Sequence, residues 1–404
     1  MEDQEKAKKE EILKTIKPEW KKQKKRWGHS LHTMCTYMAS FPASIPRYFI
    51  DTFTQEGDIV FDPFSGKGTT PAEAILCKRK GVGNDLNPLA YVLTSAKMHV
   101  PGIKDSFDRI DQLEKLWKES EKNIDISKEP DKIKMIFHDK TLSQLVFLKN
   151  YLKWKQNNGN DQDIFLTGCL MGIIHGGSRG FLSISMPNTF SMSPGYIKKY
   201  IGEKNLIREE RDVFGLLKEK IERMLKDGEI NLNGTAYLGD ARKVDLKDNS
   251  VKLVVSSPPY LKVIKYGMYN WIRLWFLDEE PKSVDDRLDD AHALPEYLNF
   301  MDEVLKETYR LLEDGGLVVY LIGDVNKKDT SINLAKEVWN YSGEKIGFKL
   351  LDIMADDIAD NMKLTRLWNE KRGKSTPTDR LLIIYKGDVP KIYKKEVSWD
   401  VRCC

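Results

Sequence analysis

Apolar and polar positions along the 404-residue chain follow two rhythms, and the change of rhythm divides it. Asp58 to Asp62 (DIVFD) is a short apolar run after Gly57, the pattern of a strand buried on both faces of a parallel sheet. It runs into FSGKGTT, after which Pro71 to Lys78 reads as a helix. Gly81 to Asp85 predicts a second strand. Asn87-Pro88 then opens a helix to about Lys97, because proline suits a first-turn position. The alternation resumes at Tyr237 to Asp240 and at Val251 to Ser256 (VKLVVS), which ends at Pro258-Pro259. A helix fits Glu296 to Leu312, closed by Gly315-Gly316. Leu317 to Ile322 reads as a strand, Ile332 to Tyr341 as a helix, and Phe348 to Met354 and Leu381 to Tyr385 as strands. About seven strands with interleaved helices predict an α/β fold built on one open, mostly parallel sheet covered on both faces. No long helix separates the last two strands, so an antiparallel hairpin at the sheet edge is expected.

The second rhythm occupies residues 101–233. Phe107, Ile110, Leu113 and Trp117 recur at helical spacing, as do Leu142, Leu145, Leu148 and Leu152. Val213, Phe214, Leu217, Ile221 and Leu225 repeat the pattern before Gly228 ends that helix. Between them Ser178 to Tyr196 is rich in Ser, Met and aromatics and reads as a long loop. The stretch is a mainly helical insert in the α/β pattern.

Composition changes this picture little. Lys and Arg number 65 against 61 Asp and Glu, a net charge of +4, which does not by itself announce nucleic acid. Lys17 to Arg26 (KPEWKKQKKR) concentrates basic residues, as either a phosphate-contacting arm or a solvated helix. Cys35, Cys77, Cys169, Cys403 and Cys404 contain no C-x-x-C pair, which argues against a zinc site or a disulfide framework. His138 and His175 lack metal-ligand partners at suitable spacing, so no metal is expected. Met186 and Met192 read as adaptable packing. No apolar run reaches membrane-span length and the start is polar, so a cytoplasmic protein without a membrane partner is expected.

Two motifs carry chemistry. In Phe61 to Thr70 (FDPFSGKGTT), Gly66 and Gly68 let the backbone approach a ligand where a strand hands over to a helix. The third glycine of a dinucleotide fingerprint is missing, with Pro71 in its place, and Lys67 is followed by Gly68 rather than Ser or Thr. Both nucleotide-phosphate readings weaken. Asp85, about twenty residues on, either accepts the ribose hydroxyls of an adenosine or caps the next helix. Asp240 either accepts an adenine amine or makes a turn.

The second motif is Ser256-Ser257-Pro258-Pro259-Tyr260, at the end of an apolar strand. Two prolines force the chain out of the sheet in a stiff, extended conformation. That stiffness fixes the Ser257 hydroxyl and the Pro258 carbonyl as acceptors for an NH2 group, with Tyr260 as a stacking face. Alone, the tetrapeptide is more often a surface turn.

Together these motifs resemble those of the amino-group DNA methyltransferases of restriction-modification type. DPFSGKGTT resembles their S-adenosylmethionine motif and SSPPY their catalytic motif. His32 to Ile50 is similar to the element that helps cover the methionine moiety. The resemblance spans about residues 29–100 and 234–390, and implies a Rossmann-like methyltransferase sheet. The cofactor-binding set it implies is Asp62, Pro63, Phe64, Gly66, Gly68, Thr69, Asp85, Asn87 and Asp240, and the catalytic set is Ser257, Pro258, Pro259 and Tyr260. S-P-P-Y is commonest in the cytosine-N4 branch of that family. The implied reaction is methyl transfer to the N4 amine of a flipped-out cytosine in double-stranded DNA. Adenine-N6 in DNA and a base amine in RNA are the alternatives, and a cognate restriction endonuclease is a candidate partner. Residues 1–28 form a basic N-terminal segment and 391–404 a tail. Insert 101–233 is the favoured target-recognition domain. The aromatic, basic stretch LKVIKYGMYNWIRLWF after the catalytic motif and Lys363 to Arg380 are other candidates.

Overall fold

In the computed structural model the described residues are 2–24, 26–156, 160–188, 190–230, 234–259, 261, 265–288, 293–327, 330–356 and 378–401. Nine strands are found among them: β1 Ile59–Asp62, β2 Lys80–Asp85, β3 Thr235–Leu238, β4 Val251–Ser256, β5 Leu312–Gly323, β6 Val325–Lys327, β7 Thr330–Ile332, β8 Phe348–Asp356 and β9 Asp379–Lys386. Seven make one sheet in the order β3-β2-β1-β4-β5-β9-β8, and β6 and β7 form a small ribbon. The pairings from β3 through β5 are parallel, whereas β9 runs antiparallel to both β5 and β8. This is the expected mostly parallel α/β sheet.

The last two strands do pair antiparallel, but β9 lies inside the sheet and only β8 is at its edge. The reason is apolar content. Leu381 to Tyr385 are all fully buried and cannot face water at an edge, whereas β8 is exposed at Lys349 and Ala355 and only partly buried at most other positions.

Period-two alternation sorts the strands' side chains into two cores. Val60, Leu253, Val255, Val319 and Ile383 pack on one face against the helix Ser44–Phe53 and the N-terminal residues Ile12, Ile16 and Trp20. Phe61, Val254, Val318, Tyr320 and Ile384 pack on the other against the helix Leu294–Leu311. Each of these buried side chains contributes roughly 1.5–3 kcal/mol. Gly81 of β2 lets the preceding helix, Thr69–Leu76, close in, because a Cβ there would stand 2.2 Å from the Pro71 carbonyl oxygen. Gly81→Ala is expected to lower unfolding free energy by about 1–3 kcal/mol in denaturant titration.

Several boundaries differ from the sequence reading. The predicted strand at Tyr237 to Asp240 ends at Leu238, so Asp240 lies beyond it. The helix expected from Ile332 runs Leu334–Val338 and widens into a π-turn over Trp339–Gly343. The loop from Ser178 stops at Ser193, whose side chain caps a helix Pro194–Lys204.

The insert holds helices Ile103–Ser120, Asp139–Leu152, Asp161–Ile173 and Val213–Met224, with the predicted apolar stripes buried except at Phe107, which is half-buried. His138 caps the second of these and His175 is buried against Ser183 and the Phe190 carbonyl. The insert's apolar side chains share one continuous core with the helices Thr69–Leu76 and Pro88–Met98 of the sheet layer. Two glycines on Asp161–Ile173 permit the contact. A Cβ at Gly168 would lie 2.4 Å from the Ala96 Cβ, and one at Gly172 would lie 1.8 Å from the Met34 carbonyl oxygen. Among the described residues no helix is long and apolar enough to cross a membrane.

Candidate active site

Strand order reverses between β1 and β4, and the chain leaves these neighbours in opposite directions along the sheet. A crevice therefore opens at their carboxyl ends. It encloses about 1160 Å³ including its open mouth. The walls bring together Pro63, Phe64, Gly66 and Thr69 after β1, Asp85 and Asn87 at β2, Asp240 after β3, and Ser257, Pro258 and Pro259 after β4. Asp62 and Gly68, also singled out from the sequence, shape this wall from behind rather than lining it. Tyr260 lies outside the described residues, as does most of the stretch Lys363 to Arg380.

The glycine turn is built by backbone geometry. Gly66 (φ 52°) and Gly68 (φ 72°) both occupy the left-handed region, which side chains on Cβ disfavour. At Gly68 a Cβ would also meet the Thr94 Cα and Oγ1 at 3.0 Å. The Ser65 amide donates to the Asn84 carbonyl at 2.9 Å, and the Ser65 and Thr94 hydroxyls bond at 2.9 Å. Thr70 Oγ1 donates to the Val255 carbonyl of β4 at 2.9 Å. Asn84, buried on β2, donates from Nδ2 to the carbonyls of Pro63 (3.3 Å) and Gly239 (3.0 Å), joining three strand ends. Sequence reasoning did not single it out, since an Asn inside a strand has no distinctive spacing.

Three carboxylates near the cleft are held in different ways. Asp85 Oδ2 accepts from the Gly66 amide at 2.8 Å and Oδ1 from the Asn87 amide at 2.9 Å. Burial pushes its carboxyl up to about 6 against the pull of these amides. The helix cap is Asn87, whose Oδ1 accepts from the Leu89 amide at 3.0 Å, so Asp85 braces the glycine turn and faces the cleft. Asp62 is fully buried. Its Oδ1 accepts from Ser256 Oγ at 2.5 Å and the Phe64 amide at 3.1 Å, while Oδ2 has no hydrogen-bond partner among the described residues. Burial pushes this carboxyl up to about 7. Asp240 is gripped by Arg242, with Nη2 at 2.7 Å. Burial works to raise its carboxyl, but the bonds from Arg242 hold it below its ordinary range.

At the proline motif, Ser257 Oγ donates to the Leu321 carbonyl of β5 at 3.1 Å. A hydroxyl keeps acceptor capacity when it donates.

Several wall residues were missed. The Arg242 guanidinium lies over the Phe300 ring at 5.7 Å, and Phe300 meets Phe64 at 6.0 Å, giving an aromatic end beside Asp240. At the other end the strap Tyr37 to Phe41 covers the cleft, within the predicted element His32 to Ile50. Asn87 Nδ2 donates to the Tyr37 hydroxyl at 3.0 Å, and the Tyr37 ring stacks on Tyr266 at 5.6 Å. Tyr266 belongs to the stretch named as a recognition candidate, yet it lines this cleft. Side chains from the insert and from the helix Trp271–Phe276 anchor the segment that leads into the strap. Lys220 Nζ donates to the Thr33 carbonyl at 2.7 Å and Arg273 Nη2 to Thr36 Oγ1 at 3.3 Å.

A family model described as DNA methylase matches residues 1–95 and 251–397, passing over the helical insert. The type II methyltransferase M.MjaI of Methanocaldococcus jannaschii is 32% identical over 139 residues, covering 30% of this chain and 44% of that protein. The type II methyltransferase M.BsoBI of Geobacillus stearothermophilus is 21% identical over 294 residues, covering 64% of this chain and 54% of that protein. The chain thus spans about half the length of these relatives. A solved S-adenosylmethionine-dependent methyltransferase from Methanosarcina mazei aligns over 83% of this chain and 95% of its own, with 9% identity and a TM-score of 0.34.

Proposed function

The chain belongs to the DNA methylase family, and from that premise we propose that it methylates an exocyclic base amine in double-stranded DNA, at cytosine N4. One observation carries the reading: the glycine turn and Ser257-Pro258-Pro259 line a single cleft at the reversal of strand order.

The residues present fit S-adenosylmethionine. Asp85 spends one acceptor position of each oxygen on a backbone amide, which leaves acceptor capacity toward ribose hydroxyls. Phe64, Ala241 and Phe300 offer apolar surface to an adenine, with Asp240 beside them for its amine. The left-handed Gly66 and the strap Tyr37 to Phe41 confine the methionine end. When bound, this cofactor supplies an electrophilic sulfonium methyl group.

The chain's own residues prepare the nucleophile. Ser257 Oγ, its hydrogen directed to Leu321, and the Pro258 carbonyl accept the two hydrogens of the target amine. Their pull concentrates electron density on a nitrogen otherwise conjugated into the ring, and Pro258-Pro259 keeps both acceptors rigid. Tyr260, next in the chain, is the proposed stacking face for the flipped base. Catalysis is then largely positioning. Cytosine is chosen over adenine on Ser257, and insert 101–233 is assigned to target recognition. A cognate endonuclease completes the proposed host-protection system.

The test incubates the protein with methyl-labelled cofactor and either duplex DNA or RNA, then identifies modified nucleosides by mass spectrometry. N4-methylcytosine in DNA is expected. N6-methyladenine alone overturns the base assignment, and label only in RNA overturns the DNA assignment. Ser257→Ala is expected to lower kcat about a hundredfold with little change in KM, as for loss of a group used in the transition state.

A further inference from the structure

Of the 404 residues 61 are Asp or Glu, yet none falls from Ile164 to Gly202 or from Asn249 to Leu277. Burial accounts for part of both gaps, in the helix Asp161–Ile173 and in β4, whose side chains are mostly buried. It does not account for Arg179, Ser185, Tyr196, Lys198, Lys265 and Met268, which are all exposed. The fold joins the two acid-free stretches beside the cleft. The Ser191 amide donates to the Tyr269 carbonyl at 2.8 Å, and Trp271 Nε1 donates to the Met192 carbonyl at 2.8 Å. Lys265 immediately precedes Tyr266, which lines the cleft. Asp285 is brought here from further along the chain, but its oxygens accept from the Gly267 amide at 2.6 Å and the Met268 amide at 3.2 Å.

Positive charge is therefore left without a counter-charge. Lys199 pairs with Glu203 at 3.5 Å. The side chains of Arg179, Lys198 and Lys265 have neither ion pair nor hydrogen bond among the described residues. A surface of unpaired cations and no acids attracts a polyanion.

Arg179 differs from the two lysines in how it is held. The Phe181 amide donates to the Ser178 carbonyl at 3.1 Å, which closes a four-residue turn with Arg179 at its second position. The base of that turn is fixed by the Leu182 amide on the Ile173 carbonyl at 2.9 Å and by Ser185 Oγ on the Gly177 carbonyl at 3.0 Å. Packing beneath it is dense. A Cβ at Gly176 would stand 2.5 Å from the Phe181 ring, and one at Gly177 would stand 2.5 Å from the Met186 carbonyl oxygen. A phosphate contact needs only a charge nearby, whereas reading a base edge needs donors held in register. The arginine fork matches O6 and N7 of guanine in the major groove, and lysine is a point charge.

We propose that duplex DNA docks on this acid-free surface, with Arg179 reading a guanine edge while Lys198 and Lys265 hold phosphates. The inference rests on the duplex-DNA reading above, and it narrows target recognition from the whole insert to one turn.

The test methylates a pool of randomised duplexes with the full chain, sequences the modified contexts, and measures duplex affinity against salt. Arg179→Ala is expected to lower discrimination at one G·C position about ten- to a hundredfold. Arg179→Lys keeps the charge without the fork, and should lose the same preference while retaining the salt slope. Lys198→Ala and Lys265→Ala are expected to keep the site, weaken all duplexes alike and each reduce the salt slope by about one. A wild-type site with no G·C pair besides the target overturns the base contact, as does an unchanged site in Arg179→Ala. Unchanged salt slopes in both lysine variants overturn the docking surface. Label only in RNA, or in no nucleic acid, overturns the DNA reading itself, so the failures are distinct. Melting curves of the variants separate lost contacts from lost folding.

Discussion

Gly68→Val is expected to destroy adenosyl-ligand binding and to cost about 3–5 kcal/mol of folding stability. Two independent penalties meet at this position. The left-handed backbone at φ 72° excludes a β-branched side chain, and the added Cβ would stand 3.0 Å from the Thr94 Cα, which belongs to a buried helix and cannot yield. Thr94 is also the partner of Ser65, so any retreat of the helix Pro88–Met98 loosens the turn it supports. Gly68→Ala meets the same wall with a smaller side chain and should lose less, about 1–3 kcal/mol. Denaturant titration and ligand calorimetry on both variants check the pair. Wild-type stability and affinity in Gly68→Val would show that the turn is not the rigid element described above.

The second large effect is a pH dependence that originates at Asp62. Burial holds its carboxyl at about 7, well above the ordinary 3.8, so the folded chain binds that proton more tightly than the unfolded chain does. Below about pH 4 both states are protonated and the group adds no penalty. As pH rises from about 4 to about 7 only the unfolded chain releases the proton, and stability falls across that window. Above it the penalty is constant, on the order of 4 kcal/mol for a shift of about three units. Asp62→Asn removes the titration while keeping an oxygen to accept from Ser256 and the Phe64 amide. The variant should therefore gain on the wild type as pH rises, and a stability difference independent of pH would refute the assignment. Glu73 acts with the opposite sign, because Arg47 and His32 outweigh its burial and hold its carboxyl below the usual range. Its contribution is common to both proteins and cancels in the comparison.

The sheet was legible in the sequence where punctuation is local. Gly57 and the glycine turn bracket β1, and Pro258-Pro259 cuts off β4, so both strands were found within a residue of their ends. The helix Asp161–Ile173 was not legible, because buried residues run all round it and no apolar stripe marks a face. The place of β9 between β5 and β8 was also hidden, since its pairing depends on distant strands rather than on neighbours in the chain. The same division holds in the cleft. The two motifs announce themselves through Gly and Pro, whereas Tyr37, Tyr266, Arg242 and Phe300 arrive from four separate segments with no shared spacing. Asp85 needed coordinates for a different reason. Only its bonds to the Gly66 and Asn87 amides separate a brace of the turn from a helix cap.

The glycine face of Asp161–Ile173 has a consequence for how the insert can diverge. A module tethered by linkers can be exchanged whole between chains, because its surface owes nothing to its host. Here Gly168 and Gly172 bring the insert's backbone against Ala96 and Met34, and Lys220 holds the Thr33 carbonyl in the segment that leads into the strap. A transplanted insert would have to bring matching contours for both partners or leave the strap without its anchor. Such contacts make point substitutions on the insert's solvent-facing side less costly than exchange of the whole insert.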